Sequence, residues 1–547
     1  MKPGLPVGLL MLVLTFDAVA LEGRADPAAL RAHVAFLADD LLEGRETGTR
    51  GHDLAARYVA VQFARAGLQP AGDAGTFWQR VAFRATQVVP DSGELGWADA
   101  SGAAFKWGED YITPASRLSA STDAAAELVY VGHGIVAPHL GLDDYAGVDV
   151  NGKFVAVLQG SPSYLDGDQG AHFASLRLKQ ETAAARGAIG MLALQTPANE
   201  RLFPFDTVRR SQHFRAYAWQ DAQGRMHGFG TAVPHAATLS PSGVDKLLAG
   251  TGVTVDTLVA RAEQRLRPPE VRFPAKLRIA RKSRLQDATS PNVVGLIAGV
   301  DPTLKDEHVV VTAHLDHLGV LPGGTGDAIH NGALDNATGV AIVTEVARLI
   351  AARPGRPRRS ILFVALTGEE PGLLGSEYFV HRARHAGLAM VANLNVDMPI
   401  LTYDFRDICA FGAEHSTLGD VIAKVAGAQG IPVSPDPQPE RRRFIRSDQY
   451  SFVKAGVPAA ALNTGVHGRT EDDAGRKARA EIELKHYHRP SDDLALPIDY
   501  AAAARFADLA AAIVVELANA DEPPRWRARN FFGETFGAAA GPAGRPQ

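Results

Sequence analysis

From about residue 290 to residue 518, short and almost wholly apolar runs alternate with amphipathic stretches, and few architectures accept that order. The runs are NVVGLIAG, HVVVTA, SILFVALT, MVANLNV and PAAALNTG. Near-continuous apolar strands of this kind are buried on both faces. Between and after them, TGVAIVTEVARLIAA, LLGSEYFVHRARHAG, STLGDVIAKVAGAQ and YAAAARFADLAAAIVVELA space apolar residues as one face of a helix does. Strands alternating with helices predict an α/β fold with a mostly parallel central sheet and helices on both faces.

In open sheets of this type ligands sit beyond the carboxyl ends of the strands, so the residues that follow each run are the ones to inspect. After VVVTA come His314, Asp316 and His317; after SILFVALT come Glu369 and Glu370; after MVANLNV comes Asp397. Asp335 lies in NGALDNATG before a helix, and HYHRPSDD supplies His486 and His488. A carboxylate at a helix start is ordinarily a cap, and a loop histidine is ordinarily solvated. Three strands ending in such residues on one sheet edge point instead to a metal site. Cys409 is the only cysteine, so any ion must be held by His, Asp and Glu. The number of such residues suits two zinc ions, each with N or O ligands and an open position.

The rest of the chain frames this core. With 547 residues, at about 150 per domain, three or four domains are expected, or fewer with insertions. A net charge of −5 and the lack of a Lys/Arg block argue against nucleic acid as a partner. Residues 1–20 carry Lys2, the apolar run VGLLMLVLTF and an Ala18-x-Ala20 ending, the layout of a cleavable signal peptide. The expected mature protein is exported, periplasmic or extracellular, with no membrane anchor.

Residues 21–89 contain two helical stretches, LRAHVAFLADDLL and HDLAARYVAVQFARAGL, separated by GRETGTRG, which reads as a turn. Residues 90–275 are a texture apart: short β-rich runs such as KFVAVLQG and GAIGMLALQ, and no clustering of His with carboxylates. They are expected to form an inserted smaller β-rich domain, with the catalytic domain at 276–520. Residues 521–547 read as an irregular tail docked through Trp526 and Phe531.

The pieces AHLDHLG, NGALDNATG, LTGEEPGLLGSEYF, NLNVDM, RSDQYSFVKAGVP and YHRPSDD resemble, in order, the co-catalytic di-zinc exopeptidases of the bacterial leucyl-aminopeptidase type, metallopeptidase family 28. The insertion resembles, more weakly, the protease-associated domain found in many members. The resemblance implies His314 and Asp397 on one zinc, Glu370 and His488 on the other, and Asp335 bridging both. It implies Glu369 as general base for a water or hydroxide shared by the ions, and a cis Asp335–Asn336 peptide. It favours His488 over His486, through the pattern His488, Pro490, Asp492.

Asp316, two residues from His314, is expected to point the same way in extended chain and to accept the ring's second N–H, fixing the tautomer. His317 points oppositely and is expected to be a packing residue. The activity implied is removal of N-terminal residues from peptide substrates. Three alternatives stand beside it: a carboxypeptidase of the glutamate-carboxypeptidase type, using Arg441, Arg442, Arg443 or Arg446 for the substrate carboxylate; a glutaminyl cyclase-like acyltransferase with one zinc; and a catalytically dead, receptor-like binding protein.

Overall fold

Four parallel strands make the centre of the molecule. In the computed structural model, which describes residues 23–99, 104–165, 167–212, 214–321 and 326–537, they lie side by side as Ser360–Leu366, Glu307–His314, Ala389–Val396 and Ala459–Thr464. Every residue of Ser360–Leu366 and of Ala459–Thr464 is buried, as a sheet covered on both sides requires. NVVGLI departs from the parallel expectation. It ends the 21-residue strand Leu277–Ile297 and pairs antiparallel with Ser360–Leu366. On the opposite side Ile408–Phe411 runs antiparallel to Ala459–Thr464.

One face is covered by Gly339–Ala351, which is buried along most of its length, and by Pro27–Leu37, Arg50–Arg65 and Tyr500–Asn519. The first helix starts at a good signal: Asp26 caps it by accepting from the Ala28 N–H, with Pro27 at the first position. Tyr500–Asn519 buries Ala502, Ala503, Ala507, Ala510 and Ala511, small residues that let a long helix lie close to its neighbours. Phe506, Ile513 and Val514 on the same helix are fully buried, each contributing about 1.5–3 kcal/mol relative to exposure. Leu374–His385 and Gln449–Lys454 cover the other face.

The long strand also carries the rest of the chain. Its first half pairs with Glu94–Trp97 and Ser121–Ala126, its second half with Trp78–Val88. Residues 90–275 contribute a separate five-stranded sheet with its own core, built on Phe154–Leu158, Gly190–Leu194 and His235–Leu239. They do not stay apart from the large sheet, however. The hairpin Ala216–Gln220/Met226–His227 pairs with Trp78–Val88, which lets Tyr217 and Trp219 bury themselves against Val81, Phe83 and Leu374.

The tail is less irregular than its composition suggests. Phe531–Phe536 is a short helix, Trp526 Nε1 donates to the Gly456 carbonyl at 2.8 Å, Phe531 packs against His172 and Phe173 as expected, and the adjacent Phe532 is more deeply buried. The candidate signal peptide, residues 1–20, lies outside the described residues. Among the described residues no helix is long and apolar enough to cross a membrane.

Candidate metal centre

His314 is the last residue of Glu307–His314; Glu369 and Glu370 follow Ser360–Leu366, and Asp397 follows Ala389–Val396. Because the other two strands run parallel on either side of Glu307–His314, with regular pairing from Val309 onward, these side chains emerge at one edge. Asp335 and His488 are brought there by loops. The Asp335 loop is fixed from two sides. Asp492 accepts the N–H groups of Leu334 at 2.8 Å and Asp335 at 3.0 Å. The Asn336 side chain joins the loop to the next strand end, donating to the Val396 carbonyl and accepting from the Met398 N–H. The Asp335–Asn336 peptide is cis.

The five expected ligands converge in two groups. His314 Nε2 stands 3.1 Å from Asp397 Oδ1 and 3.2 Å from Asp335 Oδ1. His488 Nε2 stands 3.1 Å from Glu370 Oε2 and 3.3 Å from Asp335 Oδ2. Asp335 thus turns one oxygen to each histidine. A tetrahedral ion with bonds of about 2.0–2.1 Å sets neighbouring donor atoms roughly 3.3–3.4 Å apart, so the donor set and its spacing fit zinc. Burial pushes both imidazoles down, but Asp397 and Asp335 around His314, and Glu370, Tyr487 and Asp335 around His488, hold both well above the ordinary range. This cage of carboxylates attracts cations. His486 is not part of it; its Nδ1 lies 3.0 Å from the Ser491 carbonyl oxygen at the surface.

Glu369 and Glu370 diverge. Glu370 is held at both oxygens, Oε2 by His488 and Oε1 by His317 Nδ1 at 2.7 Å. Glu369 opens onto the same cavity as the metal ligands. Burial, with Asp397 and Glu370 beside it, holds its carboxyl well above the usual range despite His314.

Two expectations need correction. The carboxylate of Asp316 does not accept the His314 ring N–H; His314 Nδ1 lies 3.1 Å from the backbone carbonyl of Asp316. The strand ends at His314, so the two-residue alternation that placed the Asp316 side chain beside it no longer applies. The Asp316 carboxylate instead accepts from Thr47 Oγ1 at 3.0 Å and from the Glu369 N–H at 3.1 Å, anchoring the loop that carries both glutamates. Burial raises its pKa to about 6. His317 is not incidental either. It is buried, orients Glu370, and packs edge-on to His488 with ring centroids 5.8 Å apart.

A further support had no signal in the sequence beyond its place in GRETGTRG. Arg45 is 1% exposed and its guanidinium donates to four carbonyls: Leu315, Leu37, Asn331 and Gly332. Three of these belong to the two loops that present His314 and Asp335. Burial lowers Arg45 to about 10, against the attraction of Asp492, Asp335, Asp316 and Glu370.

Two cavities meet at the centre. One, of about 170 Å³, contains all five ligands and Glu369. The other, about 520 Å³, touches Glu370 and His488 and is walled from the 90–275 side by Arg117, Met191 and Phe229.

The sequence pattern of peptidase family M28 matches residues 292–514. A probable zinc metalloprotease of Pyricularia oryzae is 30% identical over 269 residues, 43% of this chain and 51% of that protein. Aminopeptidase YwaD of Bacillus subtilis is 33% identical over 112 residues, 20% of this chain and 22% of that protein. The matches therefore span about half, or less, of these relatives. An aminopeptidase from Aneurinibacillus sp. strain AM-1 is similar in fold, with a TM-score of 0.52 at 20% identity over 91% of this chain and 96% of that one.

Proposed function

We propose that this chain, whose residues 292–514 form a peptidase family M28 domain, is an exported metallo-aminopeptidase that holds two zinc ions and removes N-terminal residues from peptides. The observation that carries the two-ion reading is Asp335, with its oxygens 3.2 and 3.3 Å from two different histidines. A carboxylate shared between two ions would account for that arrangement.

His314, Asp397 and one Asp335 oxygen would hold one ion, and His488, Glu370 and the other oxygen the second. Zinc bound there supplies Lewis acidity, polarising the scissile carbonyl and making water acidic enough to act near neutral pH. The protein's own residues do the rest. Glu369, facing the cavity, takes the proton from the attacking water and passes it to the leaving amine. His317 keeps Glu370 turned away from that role, and Asp316 and Thr47 fix the backbone on which both glutamates sit. The segment 90–275 walls the larger cavity and so limits which peptides reach the centre. Export rests on the layout of residues 1–20; N-terminal sequencing of protein recovered outside the cytoplasm tests it, and an intact Met1 there would contradict it.

The activity is tested with paired substrates. Blocking the α-amino group should abolish hydrolysis, while amidating the C-terminus should leave it. The reverse pattern would make the protein a carboxypeptidase.

A further inference from the structure

The cavity that holds the ligands is also lined by four arginines, Arg441, Arg443, Arg446 and Arg479, and by Glu483, a carboxylate that is neither an expected ligand nor the expected base. The arginines come from two places, the loop 439–446 and the helix Ala474–Glu481, so no local sequence repeat accounts for their meeting. Arg442, in the same loop, does not line the cavity, and Arg479 takes its place.

Glu483 cannot neutralise them all. It accepts from Arg443 Nη2 and stands 3.9 Å from Arg441. Asp436, outside the cavity lining, is 3.7 Å from Arg443 Nη1, beyond a hydrogen bond, and that nitrogen is buried with no hydrogen-bond partner among the described residues. Arg479 is 3% exposed; its Nη2 donates to Asn463 Oδ1 and the Thr464 carbonyl, while its Nε is buried without a partner among the described residues. Arg446 reaches no carboxylate among the described residues and lies over the Phe203 ring instead. Buried guanidinium N–H groups left unpaired are unfavourable unless an anion completes them. The four guanidiniums therefore carry more positive charge than Glu483 and Asp436 offset.

We infer that this cavity is a carboxylate-recognition subsite, selecting an acidic side chain on the substrate residue seated beside the metal centre. The inference rests on the aminopeptidase reading, in which that residue carries the free α-amine. Planar guanidinium forks suit a carboxylate and discriminate it from the isosteric amide. The same chemistry could take the C-terminal carboxylate of a peptide bound the other way round.

The test uses the zinc-loaded full-length enzyme with Glu, Gln and Leu anilides, and with N-acetyl peptides ending in Glu or in its C-terminal amide. The Glu anilide should exceed the Gln anilide in kcat/KM by about 10- to 100-fold, the range of a hydrogen bond to a charged group. Arg441→Gln and Arg446→Gln, at more exposed positions than Arg479, should each lower that ratio. If Gln and Leu anilides are cleaved as well as Glu, the subsite is overturned while the aminopeptidase reading stands. If only the N-acetyl peptide with a free terminal carboxylate is cleaved, the aminopeptidase reading fails and the arginines serve the C-terminus. A strong Glu preference unmoved by either variant would also overturn the assignment.

Discussion

Arg45 offers a sharp test of how the loops are held, because its work is done on backbone carbonyls rather than on the ligands. Arg45→Met keeps much of the aliphatic stem and removes the fork, leaving the carbonyls of Leu315, Leu37 and Asn331 without that donor, while the Gly332 carbonyl keeps the Ala337 N–H. An unsatisfied buried acceptor costs about 1–3 kcal/mol. At the low end these three carbonyls together give about 3 kcal/mol. For 547 residues melting as one unit, that is a fall in Tm of about 2–3 °C. Arg45→Lys keeps the charge but not the planar fork and should fall between the two.

The assay is differential scanning calorimetry of the zinc-loaded protein, with a zinc titration of the same samples. Loosening the loops at Leu315 and at Asn331–Gly332 should weaken zinc binding as well as stability. If Arg45→Met melts within about 1 °C of the parent and binds zinc equally well, the argument that this arginine shapes the centre is wrong.

Other outcomes follow from the same geometry. Glu369→Gln should keep its zinc and lose about 10²–10⁴-fold in kcat, whereas Glu370→Gln should lose metal and recover partly on adding zinc; elemental analysis beside kinetics separates them, and the opposite pattern would exchange their roles. His317→Phe should free Glu370 Oε1 and weaken zinc binding by about 10- to 100-fold, as loss of a residue orienting a ligand does, and calorimetric titration reads it; unchanged affinity would return His317 to a packing role. Glu345 is 1% exposed. Burial pushes it up, yet its contacts with His33 and Arg348 outweigh burial and hold it at about 2 against an ordinary 4.5. Its contribution, roughly 3 kcal/mol, should be complete above pH 4.5 and disappear as pH falls toward 2. The stability gap between the parent and Glu345→Gln should close over that window, and a gap independent of pH would refute the pairing.

What the sequence made legible follows from periodicity and its limits. The buried strands announced themselves because no charged residue interrupts VVVTA or SILFVAL, and the strand ends then fixed His314, Glu369, Glu370 and Asp397 on one edge. The alternation rule failed one residue further on. Beyond His314 the chain is no longer extended, so the side-chain directions of Asp316 and His317 depended on tertiary contacts with Thr47 and Glu370. Arg45 was invisible for a related reason: an arginine in a glycine-rich turn looks solvated, and only the folded chain brings four carbonyls around it. Tyr217 and Trp219 likewise gave no hint that their hairpin would join the large sheet, since the strand they pair with lies 130 or more positions earlier.

If Asp335 is shared between two ions, the number of metals bound per chain reveals it. Zinc should be titrated into chelator-stripped protein, with bound metal counted by elemental analysis and aminopeptidase activity followed in parallel. Binding should saturate at two zinc ions per chain, with Asp335→Asn impairing both sites. Full activity with one tightly bound ion per chain would contradict it.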